Sequence, residues 1–67
     1  RLIEAVGLKG YAINGMSFSE KHANFLVNNG KGTYNDALAL IRKAQQKVKE
    51  KFDIDLNKRG ISVYVVD

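Results

Sequence analysis

The chain has no cysteine and only one histidine in 67 residues. Without cysteine no disulfide can staple the fold, and no Cys/His cluster stands at metal-ligand spacing, so two usual supports of a very small protein are missing. The lack of cysteine fits a reducing compartment. No apolar run approaches the ~20 residues that cross a bilayer, and the opening RLIEAVGLKG carries charge and glycine where a secretion signal has its apolar stretch. A soluble chain is expected. At this length roughly 60% of the unfolded surface is buried on folding, so the core is marginal and a partner-dependent domain is a live reading.

What is present is positive charge, +4 formally, which suits anionic partners: nucleic acid, phosphate-bearing metabolites or a membrane surface. Residues 2–8, LIEAVGL, put Leu2, Ile3, Val6 and Leu8 at helical spacing before Gly7 and Gly10 stop the element. In YAINGMSFS the apolar alternation of Tyr11 and Ile13 changes phase at Asn14-Gly15 and resumes with Met16 and Phe18, which needs a bulge or a tight turn. NFLVN reads as a strand bounded by the turn material NNGKGT.

Thr33 starts the clearest element, with Asp36 three residues on as a short-armed capping box. Tyr34, Ala37, Leu38, Ile41, Ala44, Val48 and Phe52 then form one stripe over about five turns, and the spacing predicts a helix over 33–52. ISVYVV at 61–66 is apolar on both phases, as in a strand with neither face fully in water. The expected class is α+β in the order α-β-β-α-β, a small sheet packed on one long amphipathic helix and a short N-terminal one.

Several motifs invite a chemical reading. Gly30, Lys31, Gly32 and Thr33 precede a helix, where free N–H groups attract anions, but the first glycine of the G-x-x-x-x-G-K-[ST] loop is absent, as is G-x-G-x-x-G. A turn with a threonine cap is the reading preferred. Arg42, Lys43, Lys47, Lys49 and Lys51 would give a basic face for a nucleic-acid backbone, with Tyr11, Tyr34 and Tyr64 as stacking groups. Glu50 interrupts the lysines, and no RNP, KH or helix-turn-helix signature accompanies them. No serine, histidine and carboxylate are held together by spacing as in a hydrolase.

The remaining candidate is SEKHANFLVN, residues 19–28. Here Ser19, Glu20, Lys21, His22 and Asn24 crowd the mouth of a strand, where loops commonly present binding groups. Lys21 and a His22 donor suit an anionic group such as a diphosphate.

LIEAVGLKG, SEKHANFLVN and KVKEKFDIDL, in this order and spacing, resemble the C-terminal domain of the UDP-N-acetylenolpyruvoylglucosamine reductase family over about residues 1–56. The resemblance implies that 1–67 is a single small domain of a larger cytoplasmic flavoenzyme of peptidoglycan synthesis, with FAD-binding domains upstream. NADPH would reduce FAD there, and the enolpyruvyl ether of a UDP-sugar would be reduced to UDP-N-acetylmuramate. His22 would then lie near the substrate diphosphate, with Lys21 and Asn24 as secondary contacts, and neither nucleic acid nor membrane would be a partner. The chain alone would bind no cofactor and would be inactive. Its uncovered surface would favour self-association.

The family's proton-donating serine lies upstream, in a Gly-Ser-x-Phe-Lys-Asn segment. Its catalytic glutamate, in L-E-P-E-V-[RK], falls at Arg59, since Asn57, Lys58, Arg59 and Gly60 occupy that stretch. Residues 57–67 therefore depart from the pattern: a degenerate homologue, a branch using another acid and a tail differing from the native gene all fit. The alternative function is a non-catalytic basic α+β module that binds nucleic acid or a protein partner.

Overall fold

The computed structural model describes residues 2–57 and the backbone of one further strand at 62–65. Helix α1 (Leu2–Ala5) is shorter than the 2–8 expected. Its end explains why. Gly7, at φ 77°, lets its own N–H reach Glu4 O at 3.0 Å and the Leu8 N–H reach Ile3 O at 3.2 Å, the paired bonds of a Schellman stop. Ile3 and Leu8 are both buried beside this stop, so the apolar spacing read across 2–8 belongs partly to the helix and partly to its cap.

Strands β1 (Ala12–Ile13) and β2 (Met16–Phe18) form a hairpin through Asn14-Gly15. Ile13 stands opposite Met16, and residues directly opposite in an antiparallel pair share a face. The phase change is thus a tight turn that keeps both halves of the pattern facing the core. The run from 11 to 18 becomes two strands within the expected α+β class. Strand β3 (Phe25–Asn28) pairs antiparallel with β2, and β4 (Ser62–Val65) lies parallel to β3, in the order β1-β2-β3-β4. The backbone of β4 occupies most of the expected 61–66; Ile61 and Val66, like Lys58, Arg59 and Gly60, lie outside the described residues.

Helix α2 (Tyr34–Phe52) is the expected long helix, with Thr33 as its N-cap. Met16, Phe18 and Leu26 on the sheet join Ala37, Leu40 and Ala44 on the helix in one buried cluster, to which Ile3 and Leu8 also belong. The buried helix line is Ala37, Leu40, Ala44 and Val48, so the stripe needs correction: Leu40, fully buried, replaces Tyr34, which is 76% exposed, and Phe52 is 38% exposed. The cause is length. A helix of 19 residues runs about 28 Å, whereas strands of three or four residues run only about 10–13 Å, so the helix overhangs the sheet.

The hairpin turn is fastened to the helix start. Asn29 N–H donates to Gly15 O at 2.8 Å, and Asn14 Nδ2 donates to Asp36 Oδ1 at 2.8 Å. The approach is so close that a Cβ on Gly15 would lie 2.6 Å from the Gly32 backbone nitrogen. Glycine is required there by contact rather than by backbone angle.

Candidate functional site

The loop between β2 and β3 is closed at both ends. Ser19 N–H donates to Phe25 O at 2.8 Å, and Phe25 N–H donates to His22 O at 2.9 Å. Within it the Ser19 hydroxyl oxygen accepts from Lys21 N–H at 3.1 Å and from His22 N–H at 3.3 Å. A serine that gathers the N–H groups two and three residues on is a side-chain mimic of a backbone turn. Ala23 is buried beneath the loop, so the loop has an apolar anchor.

The N–H groups of Ser19, Lys21 and His22 are thus bonded within the loop. Lys21 and His22 are exposed, while Asn24 is half-buried. The His22 ring lies 5.0 Å from the Phe25 ring, tilted by 49°, which orients the imidazole against the first residue of β3. Next to Lys21 an open cleft of about 290 Å³ is lined by Ser17, Glu20, Val27 and Asn29 among others. Lys21 and His22 are thus both exposed on the same closed loop, and Asn24 is half-buried in it. Arg59, where a glutamate is expected, lies outside the described residues.

The glycine turn ahead of α2 is differently employed. Gly30 N–H and Gly32 N–H donate to Asn28 Oδ1 at 2.8 and 3.0 Å, and Asn28 Nδ2 donates to Gly32 O at 3.0 Å. Thr33 N–H donates to Asp36 Oδ2 at 2.9 Å, and Asp36 N–H donates to the Thr33 hydroxyl at 3.2 Å. Donors spent in this way do not make a phosphate cradle, and the threonine-capped turn is what stands there. The Asn14 amide, followed by the Thr33 backbone N–H, holds the Asp36 carboxyl below the usual carboxylate range.

The basic residues of α2 do not form one face. Arg42 and Lys49 follow one line of the helix and Lys43, Lys47 and Lys51 another, as spacings of seven and of four dictate. Three of the five are engaged: Lys49 reaches Asp53 at 3.1 Å and Asp55 at 3.4 Å, Lys51 donates to Ala5 O at 2.9 Å, and Lys43 lies 5.8 Å from the centre of the Tyr11 ring. The Asp53 hydrogen bond, and then the charge of Asp55, push the Lys49 amine up.

Two residues carry weight that the sequence reading did not give them. Ser19 was one polar neighbour among several, yet a serine hydroxyl at a strand end is itself the signal of the turn it makes with the following N–H groups. Phe25 was only a strand residue, and nothing local announces its contact with His22.

Residues 1–60 match the family model described as UDP-N-acetylenolpyruvoylglucosamine reductase, C-terminal domain. Among curated proteins, the chain is 61% identical over 56 residues to the UDP-N-acetylenolpyruvoylglucosamine reductase of Helicobacter hepaticus, covering 84% of this chain and 21% of that protein. It is 57% identical over 56 residues to the reductase of the same name from Anaeromyxobacter dehalogenans, covering 84% and 17%. The one from Thermotoga sp. strain RQ2 is 50% identical over 56 residues, covering 84% and 19%. The chain spans about a fifth of the length of these relatives.

Proposed function

Because the chain belongs to the UDP-N-acetylenolpyruvoylglucosamine reductase family, as a C-terminal domain, we propose that it is the substrate-holding part of such a reductase. The observation that carries this is the loop at 19–24, which lies within the matched region and presents Lys21 and His22 outward from a closed, anchored turn. The Lys21 ammonium and an imidazole N–H of His22 bind the diphosphate of a UDP-sugar, because charged and directional donors together favour a dianionic group over a neutral one. Asn24, half-buried in the same loop, is a secondary contact.

FAD and NADPH would be held by parts of such a reductase other than residues 2–57, and the reduced flavin would supply the hydride. At the glycine turn the N–H groups of Gly30, Gly32 and Thr33 are bonded to Asn28 and Asp36, and no step is routed through them. No proton transfer is assigned to the residues 2–57 either: they bind and orient, which in a reductase contributes by placing the enolpyruvyl group within reach of the hydride donor. Reduction of the enolpyruvyl ether to UDP-N-acetylmuramate supplies peptidoglycan synthesis, and we place it in the cytoplasm. No helix among the described residues is long and apolar enough to cross a membrane.

The rival reading, a basic module for nucleic acid, has little support from a helix whose lysines fall on two lines and are partly tied down. Titration of the UDP-sugar enolpyruvate into the intact protein and its His22→Ala form tests the proposal. Loss of one hydrogen bond to a charged group predicts about a tenfold rise in Kd. An unchanged Kd returns His22 to a structural role.

A further inference from the structure

Asparagine is followed by glycine at two places in the chain, Asn14-Gly15 and Asn29-Gly30. This dipeptide carries a chemistry of its own. The backbone nitrogen after an asparagine can attack the side-chain Cγ and close a succinimide ring, and glycine, having no Cβ, obstructs that approach least. Closure requires the attacking nitrogen and the asparagine Cβ to lie on the same side of the Cα–C bond. For an L residue that is a ψ of about −120°, the value at the first central position of a type II′ turn.

The two sites are built differently. Asn14 is exposed and stands first in the two-residue turn between Ile13 and Met16. Its φ of 53° is left-handed, whereas the φ of Gly15 is not. A left-handed angle confined to the first of two turn residues is the pattern of type II′, so the turn itself sets the Gly15 nitrogen for attack. At the second site the attacking nitrogen is spent, because Gly30 N–H donates to Asn28 Oδ1 at 2.8 Å. There the left-handed residue is Gly30, at φ 105°, and not the asparagine. One contact opposes closure at Asn14: its Nδ2, the leaving group, donates to Asp36 Oδ1 at 2.8 Å. Asp36 is itself held by Thr33 N–H at 2.9 Å.

We propose that Asn14-Gly15 is a site of spontaneous deamidation, shaped for it by the hairpin turn and restrained by Asp36. The Gly15 nitrogen gives its proton to water or hydroxide and bonds to Asn14 Cγ; the Cγ–Nδ2 bond breaks, and Nδ2 leaves as ammonia with a proton taken from water. Water then adds to one of the imide carbonyls and opens the ring, leaving aspartate or isoaspartate at position 14. Water is the only co-reactant, and nothing is oxidised or reduced. The product abolishes the contact that restrained it. A carboxylate now faces the Asp36 carboxylate where an amide donor stood, and like charges at that range repel. Isoaspartate also lengthens the backbone of a tight turn whose glycine lies against Lys31 and Gly32. Either product unfastens the hairpin from the start of α2.

Ageing the intact protein at mildly alkaline pH, with tryptic peptides mapped by mass and fragmentation, tests the site. Cleavage after Lys9, Lys21 and Lys31 puts Asn14 in the peptide 10–21 and Asn29 in 22–31. In the native protein Asn14 should convert from amide to acid at least about fivefold faster than Asn29, the effect of one hydrogen bond on the attacking nitrogen. In concentrated urea, where neither turn persists, the two should convert at similar rates. Equal native rates, or faster conversion at Asn29, overturn the proposal, and a difference that persists in urea overturns the role of the turn. Asp36→Ala, shown to be folded by circular dichroism at the ageing temperature, should speed conversion at Asn14 about tenfold, since the lost bond is to a charged group. Unchanged or slower conversion removes Asp36 as the restraint. Asn14→Asp reproduces one product directly and should lower Tm, with Asp36→Asn added to it recovering part of the loss. An unchanged Tm overturns the consequence for α2.

Discussion

Ser19 touches no ligand in the arrangement proposed, yet two backbone N–H groups depend on its hydroxyl. Replacing it with alanine leaves those donors to water and loosens the turn at a cost of about 1 kcal/mol. Ser19→Ala is therefore expected to weaken UDP-sugar binding about fivefold, and Ser19→Thr, which keeps the hydroxyl, to restore most of it. A double variant with His22→Ala should lose less than the sum of the two, since Ser19 acts by placing His22; simple additivity measured by titration would remove that positioning role. Asp53 offers a separate test. It ends α2 in the left-handed region, at φ 56°, where a side chain costs more than glycine. Its ion pair with Lys49 is exposed on both sides and offsets little of that. Asp53→Gly should gain roughly 0.5 kcal/mol and raise Tm by about 2–4 °C, and an unchanged or lower Tm would show that the Lys49 contact outweighs the backbone strain. Because the Lys49 amine is raised, its contribution is present below its unfolded value near 10.5 and is lost as pH rises through the folded one.

The start of α2 is where local and distant parts of the chain meet. Thr33 and Asp36 form a reciprocal capping box, and Thr33→Ala should cost about 1 kcal/mol, read from denaturant unfolding. Asn14, 22 positions away, holds the same carboxylate. The folded value for Asp36 lies below its ordinary 3.8, so this contribution is complete above that value and disappears as pH falls through the folded one. Asn14→Ala should move the Asp36 titration upward, followed by carboxyl-carbon NMR; no movement would mean that Asn14 does not hold the charge. This region also shows what was readable beforehand. The box, the helix and the hairpin turn were legible because cap chemistry, periodicity and phase are properties of neighbours in sequence. Leu40 in place of Tyr34 on the buried line was not, since it depends on where a short sheet ends beneath a long helix. Likewise the cluster of Lys21 and His22 was visible as a motif, whereas the packing of His22 on Phe25 requires the loop to fold back on β3.

Stability of the chain as a unit follows from the covering of its sheet. The buried core of the described residues consists of ten side chains, three of them alanine, and lies between α2 and one face of the sheet. A domain this small is marginal even when well packed, and here the face bearing Phe25 and Val27 lacks a cover among the described residues. The 67-residue chain by itself should consequently either unfold with low cooperativity or associate through that face, which sedimentation at several concentrations would show as a rising mass. Val27→Lys separates the causes. In the isolated chain the charge faces water, opposes association and should lower the mass towards that of a monomer. In the intact protein any cover over that face would enclose the same ammonium in an apolar contact, so that Tm would fall. Opposite signs in the two settings are what an interface demands, since a purely surface position would be indifferent in both and a core position would be damaging in both. A monomeric chain that melts sharply at high temperature, unaltered by Val27→Lys, would show that one covered face suffices.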